Sequence, residues 1–123
     1  MPYDLEVVED GSRATVRFRD PISVAEIHEA FEHLSEDGSF VVPQRLWDLR
    51  GCTLNLSADE LRRLSQSGQA RDLGKGRVAV LVDMDLSFGT ARMYEVFRES
   101  TATSVEVFRT EPEALAWLER AVS

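Results

Sequence analysis

Two short runs near the start of the chain alternate apolar and polar residues. Tyr3, Leu5 and Val7 interleave with Asp4 and Glu6, and Ala14, Val16 and Phe18 interleave with Thr15, Arg17 and Arg19. A period of two marks a strand with one buried face, and the intervening Asp10-Gly11 tolerates the positive φ of a tight turn, so the spacing predicts a β-hairpin. From Ser23 the period lengthens. Val24, Ile27, Phe31 and Leu34 recur at helical spacing, and Ser23 with Glu26 forms an S-x-x-E capping box that satisfies orphan amides at a helix start. Asp37-Gly38-Ser39 marks the end of that helix.

The pattern then alternates between the two periods. Gln44 to Leu49 reads as a third strand, and a helix follows from Ser57, where Ser57 and Glu60 repeat the capping box and Leu61 and Leu64 face inward. Gly74-Lys75-Gly76 stops that helix. Arg77 to Asp83 is the most apolar strand; its unbroken run Val78-Ala-Val-Leu-Val82 predicts burial on both faces and a central place in the sheet. A helix from Ser87 to Glu99 places Gly89, Met93, Val96 and Phe97 on one inward face, leaving Phe88 and Arg92 outside that stripe and exposed, beside Tyr94. Val105 to Arg109 forms the last strand, and Thr110 with Glu113 a third capping box. The final helix turns Ala114, Leu118, Ala121 and Val122 inward, with Trp117 close to that stripe. The order β-β-α-β-α-β-α-β-α predicts an α/β fold with a mostly parallel five-stranded sheet, right-handed crossovers and an antiparallel first strand.

Composition narrows the function classes. A chain of 123 residues suits a single domain spanning residues 1–123. Its formal net charge of −8 would repel a phosphate backbone, and its basic residues are not clustered, so nucleic acid is not an expected partner. No apolar run approaches the length needed to cross a bilayer, and the opening MPYDLEVVED has neither a basic nor an apolar signal region, so no membrane association is expected. One cysteine, Cys52, cannot form an internal disulfide and fits a reducing cytoplasm.

No complete catalytic signature is present. Ser57 has no local base and reads as a helix cap; Cys52 has no resolving thiol and reads as a small buried hydrophobe. His28 and His33 lie five apart, about 140° around a helix, which does not suit a chelate, and each is expected at a partly solvated position. Gly74-Lys75-Gly76 lacks the spacing and the Lys-Ser or Lys-Thr ending of a phosphate loop, so no cofactor or metal is expected. Parallel strands bring the segments Gly51–Ser57 and Asp83–Phe88 to one carboxyl edge, where ligands of α/β folds bind. Thr53, Asn55, Ser57, Asp83, Asp85, Phe88 and Arg92 are therefore the candidate contact residues. There, Asp48, Asp59, Glu60, Asp83 and Asp85 complement the helix dipoles; the same acids oppose an anion and, as a binding site, favour a cation or a basic protein surface.

The element order, together with Leu46-Trp-Asp-Leu-Arg-Gly-Cys-Thr before the second helix, resembles the STAS domain of bacterial anti-sigma-factor antagonists. The segments Arg77 to Asp83, Asp85-Leu-Ser-Phe-Gly-Thr-Ala-Arg-Met-Tyr-Glu and Val107 to Leu118 resemble its SpoIIAA-like branch, and the likeness spans essentially the whole chain. In the antagonists this loop resembles D-x-S-G-x-x-x-D-S-S-G, with a phosphorylated serine. Here Asp48, Gly51 and Thr53 match, whereas the later part of the motif diverges across Leu56, Ser57, Ala58 and Asp59: a single serine, Ser57, remains, without the preceding aspartate or the following glycine. The resemblance implies the geometry of that site without its phosphoserine switch. It leads to an expectation of a non-catalytic regulatory or interaction module that binds a protein partner and can form a homodimer. The alternative is a nucleotide, metabolite or lipid carrier binding at the carboxyl edge.

Overall fold

The alternating and helical segments build a single sheet flanked by helices. The computed structural model describes residues 3–7, 13–19, 23–36, 44–53, 56–71, 76–97 and 103–120. The expected turns at Asp10-Gly11 and Asp37-Gly38-Ser39, the Gly74-Lys75 helix stop and the inward residues Ala121 and Val122 lie outside those residues. Among the described residues the order is β1 (Tyr3–Val7), β2 (Arg13–Phe18), α1 (Val24–Glu36), β3 (Gln44–Asp48), α2 (Ala58–Arg71), β4 (Gly76–Leu81), α3 (Asp85–Phe97), β5 (Thr103–Phe108) and α4 (Glu111–Glu119). The α/β alternation read from the sequence is thus present, with β4 and β5 starting and α3 starting up to two residues earlier than the spacing suggests.

The sheet order is β1-β2-β3-β4-β5, in which β2 to β5 are parallel and β1 pairs antiparallel with β2. Because each parallel strand is laid beside the last in one direction, right-handed crossovers put α1, α2 and α3 on the same face. The packing agrees. Val16, Phe18, Trp47, Leu49, Val78, Val80, Val82 and Val107 form one core with Ile27, Ala30 and Phe31 of α1, Leu64 of α2 and Ala91 of α3. Trp47 anchors it, stacked on Phe18 with ring centroids 5.5 Å apart and edge-on to Phe31 at 5.0 Å.

Among the described residues, the opposite face is covered by α4 alone. Leu46, Ala79 and Leu81 pack there against Ala114 and Leu118, with Phe108 and Trp117 half-buried beside them. The strand β4 feeds both cores, as its unbroken apolar run requires. Arginines fasten α4 at both ends: Arg50 Nη2 lies 3.0 Å from Glu111 Oε2 at its start, and Arg13 Nη2 lies 2.8 Å from Glu119 Oε1 at its end. Arg77 donates to the Trp117 carbonyl and stacks over the Trp117 ring, its guanidinium carbon 5.2 Å from the centroid.

Candidate functional site

The carboxyl edge is organised by Asp48, the last residue of β3. Its parity with Leu46 points it to the α4 side, where it is buried. Arg50 grips it in a fork, Nε to Oδ1 at 3.0 Å and Nη2 to Oδ2 at 2.8 Å, while the Arg50 backbone N–H donates to Oδ1 at 3.1 Å. Arg17 adds a second cation at 3.5 Å. Burial pushes the Asp48 carboxyl up, but the bonds to Arg50 and the charges of Arg50 and Arg17 outweigh it, and its pKa lies below the ordinary 3.8. The same hydrogen bond, opposed by partial burial, raises the Arg50 pKa.

The chain then reverses through Gly51, which has φ +77°, a left-handed conformation that favours glycine. Its N–H donates to Asp83 Oδ1 at 2.9 Å, tying the loop after β3 to the loop after β4. Cys52 follows, fully buried, its thiol 3.4 Å from the Phe18 carbonyl. The Cys52 carbonyl accepts from the buried Ser87 hydroxyl at 2.9 Å. Thr53 is exposed, with its hydroxyl 3.8 Å from the Met84 sulfur. Arg109 closes the third side: Nη1 donates to Asp85 Oδ1 at 2.8 Å, Nη2 donates to the Asp83 carbonyl at 3.2 Å, and its guanidinium carbon sits 5.3 Å from the Phe88 centroid.

Ser57 is the cap of α2. The Glu60 N–H donates to Ser57 Oγ at 3.2 Å and Glu60 Oε1 accepts from the Ser57 N–H at 2.9 Å, a complete capping box. The Ser23–Glu26 box also forms, at 3.3 and 3.4 Å. The third does not. Thr110 occupies the N-cap of α4 but caps no amide; its hydroxyl donates instead to Glu113 Oε1 at 2.7 Å.

The structure therefore brings Thr53, Asp83, Asp85 and Phe88 to one edge, with Ser57 on the same loop, and consumes most of their polar groups internally. Asn55 lies outside the described residues. Two expectations for α3 are corrected. Phe88 is half-buried against the larger core, and Tyr94 packs there too, whereas Met93 and Val96, expected inward, are 43% and 59% exposed. The inward stripe is Ser87, Phe88, Ala91 and Tyr94, because Ser87 finds an acceptor in the Cys52 carbonyl and can be buried without loss. Arg92 is exposed as expected and pairs with Glu95 at 3.3 Å. Met84 is 40% exposed at the start of the same helix.

Two features escaped the sequence reading. Glu95 Oε2 accepts from the Val107 N–H at 2.9 Å, blocking part of the free edge of β5. A cavity of about 70 Å³ lies between the sheet and α1 to α3, lined by Arg45, Trp47, Leu56, Leu64, Ala91 and Tyr94 among others. Arg45 shares strand parity with Trp47, so its inward position was legible. The void was not, since it depends on how three helices mesh. Among the described residues no group of three or more His, Cys, Asp or Glu side chains could hold a metal ion, and no helix is long and apolar enough to cross a membrane. Comparison with protein-family models, with curated proteins and with solved structures finds no match.

Proposed function

We propose that this chain is a non-catalytic, cytoplasmic regulatory module of SpoIIAA-like (STAS) type that binds a protein partner through the outer face of α3, with the carboxyl-edge loops as its rim. The observation that carries the reading is the exposed apolar stripe. Met84 precedes α3, and Gly89, Met93 and Val96 follow along its outer face at helical spacing, all facing solvent. Methionines suit a contact surface because the flexible thioether fits varied partner shapes. Around the stripe, the ion pairs Arg92–Glu95 and Arg109–Asp85 form a charged margin, the arrangement of an apolar centre within a polar rim. The STAS assignment is supported by the element order and by the loop after β3, where Asp48 and Gly51 hold the turn together. The single cysteine, buried as a thiol, is compatible with a reducing compartment.

The phosphoserine switch is left out of this reading. The Ser57 hydroxyl is engaged in the capping box, and Asp59 and Glu60 crowd the position with negative charge. A nucleotide or metabolite site at the carboxyl edge has less support, since Asp48, Asp83 and Asp85 are already occupied by Arg50, Gly51 and Arg109.

The test is cross-linked capture from the source cells with the wild-type chain, Met93→Asp and Val96→Asp, each checked for fold by circular dichroism. Loss of one defined partner from both variants is the expected result. Retention of that partner by both would remove α3 as the contact surface. Sedimentation of the same three proteins separates a second copy of this chain from a different partner.

A further inference from the structure

The void on the α1 to α3 face is walled mainly by hydrocarbon. Phe31, Trp47, Leu61, Leu64, Val80 and Ala91 line it, all buried and apolar, around a space of about 70 Å³. Among the described lining residues Arg45 alone is charged, and it already has an interaction within the fold, so it holds out no charge to a ligand. A water molecule there would need about two to four polar partners, which such walls do not supply, whereas an apolar guest gains by leaving water. We infer that this cavity is a binding site for a neutral, short aliphatic molecule of about three carbons, held by packing alone between the Trp47 ring and the inner faces of α2 and α3.

The sequence accounts for the space. Leu61 and Leu64 are the inward leucines of α2, but the next positions of that stripe are Ser65 and Gly68, so the helix carries too little bulk to fill the gap over Trp47. Ser65 does not make the void polar, because its hydroxyl donates to the Arg62 carbonyl of the same helix at 2.8 Å. The size sets the ligand class. An apolar cavity of about 150 Å³ stays dry and takes up benzene or xenon. One of about 70 Å³ has room for a xenon atom or a propane-sized chain and excludes a benzene ring, a nucleotide and a fatty acid. The walls set the charge. A carboxylate or an ammonium would leave water for surroundings without an open counter-charge, a cost that contact with hydrocarbon does not offset. Leu56 and Tyr94 are the lining side chains that retain half-exposure, which places the entrance beside them, at the start of α2 and the inner side of α3.

The experiment is an NMR titration of the full chain with xenon and with propane under pressure, read at the Leu64 and Ala91 methyls and at the Trp47 indole N–H, which is assigned by comparison with Trp117→Phe. Both probes are expected to shift these signals saturably, with a dissociation constant of about 1 mM, and to leave the Trp117 indole on the α4 face unmoved. Propane at about ten times its dissociation constant should raise Tm by roughly 5 °C. Butyrate and n-butylammonium at equal ionic strength should move none of the cavity signals. Ala91→Leu, which fills the cavity, should abolish the propane shifts; Ala91→Val, with less added bulk, should weaken propane binding at least about fivefold and keeps the test should the larger side chain disturb the fold. Leu64→Ala, which enlarges the cavity, should admit benzene, which wild type excludes. No saturable shift with either probe in wild type would overturn the inference, as would undiminished propane binding in Ala91→Val, binding of the charged probes as tight as that of propane, or equal benzene uptake by wild type and Leu64→Ala. The α3 variants Met93→Asp and Val96→Asp should bind propane like wild type, so this site and the partner surface stand or fall separately.

Discussion

The two faces of the sheet are packed in different ways. On the α4 face two alanines let the helix sit close: Ala79 and Ala114, like Leu81 between them, have no exposure at all, and arginines fix the helix at both ends. On the other face three helices share a core with larger side chains, including Phe31, Trp47 and Tyr94, and a cavity of about 70 Å³ remains. Alanine on both sides of an interface lets a helix settle close to the strands, and a single helix need satisfy only its own fit. Three helices joined through separate crossovers must mesh with one another as well, and the two-leucine stripe of α2 leaves the deficit between them.

Core substitutions test this contrast most strongly. Leu81→Ala should cost about 3–4 kcal/mol, because its contacts surround it completely and the neighbours are held in place. Leu64→Ala, which already borders a void, should cost nearer 2 kcal/mol. Enlarging substitutions should sharpen the difference: Ala79→Leu costs about 2 kcal/mol by overpacking. Ala91→Val should fall within about 0.5 kcal/mol of wild type or stabilise the fold, its extra methyls entering the cavity. Urea unfolding of the four variants measures all of this. Equal penalties on the two faces would show that they are packed alike.

The next effect belongs to the ionic end of the α4 face. Asp48→Asn should cost about 2 kcal/mol, since charged hydrogen bonds to Arg50 are lost but Arg50 and Arg17, 39% and 46% exposed, can return to water. The sign with pH follows from the lowered pKa. The native carboxyl binds its proton less readily than the unfolded one, so its contribution is complete well above 3.8 and disappears as pH falls through the folded value. Wild type and Asp48→Asn should therefore differ at pH 6, and the difference should shrink as pH falls below 3.8. A gap unchanged by acid would mean that the carboxylate is not what stabilises this corner.

On the helical side, Glu95→Ala exposes the Val107 N–H on the free edge of β5. It should cost about 1 kcal/mol and increase self-association in sedimentation, because an unblocked strand edge can pair with another chain. Monomeric behaviour identical to wild type at high concentration would show that the edge needs no guard.

Much of this contrast was readable along the chain and part was not. Alternation identified the strands, the unbroken Val78–Val82 run identified the strand buried on both faces, and two S-x-x-E pairs located the starts of α1 and α2. These signals are local. The inward face of α3 was misjudged because bulk hydrophobicity favours Met93 and Val96, whereas Ser87 is buried through a carbonyl supplied by Cys52, 35 residues away in the chain. No period encodes that bond. The acids at the carboxyl edge looked open to a ligand for the same reason: Arg50 is a neighbour in sequence, but Arg109 and the Gly51 amide reach Asp85 and Asp83 only in the folded sheet.

The smallest effect compares two caps, one on each face. Ser57 and Thr110 both stand at a helix start with glutamate three residues on, and the sequence gives no reason to separate them. Ser57 accepts from the Glu60 amide, so Ser57→Ala should cost about 1 kcal/mol, and Ser57→Asp, which restores an acceptor at the N-cap, should recover most of it. The Thr110 hydroxyl turns to the Glu113 carboxylate and leaves the helix amides alone, and Glu111-Pro112 at the first turn already suits a helix start. Thr110→Ala should therefore cost no more than about 0.3 kcal/mol, an exposed hydrogen bond whose loss water replaces. Chemical denaturation of the three variants decides the matter. Equal losses at both positions would mean that Thr110 caps α4 in solution, and that the two faces begin their helices in the same way.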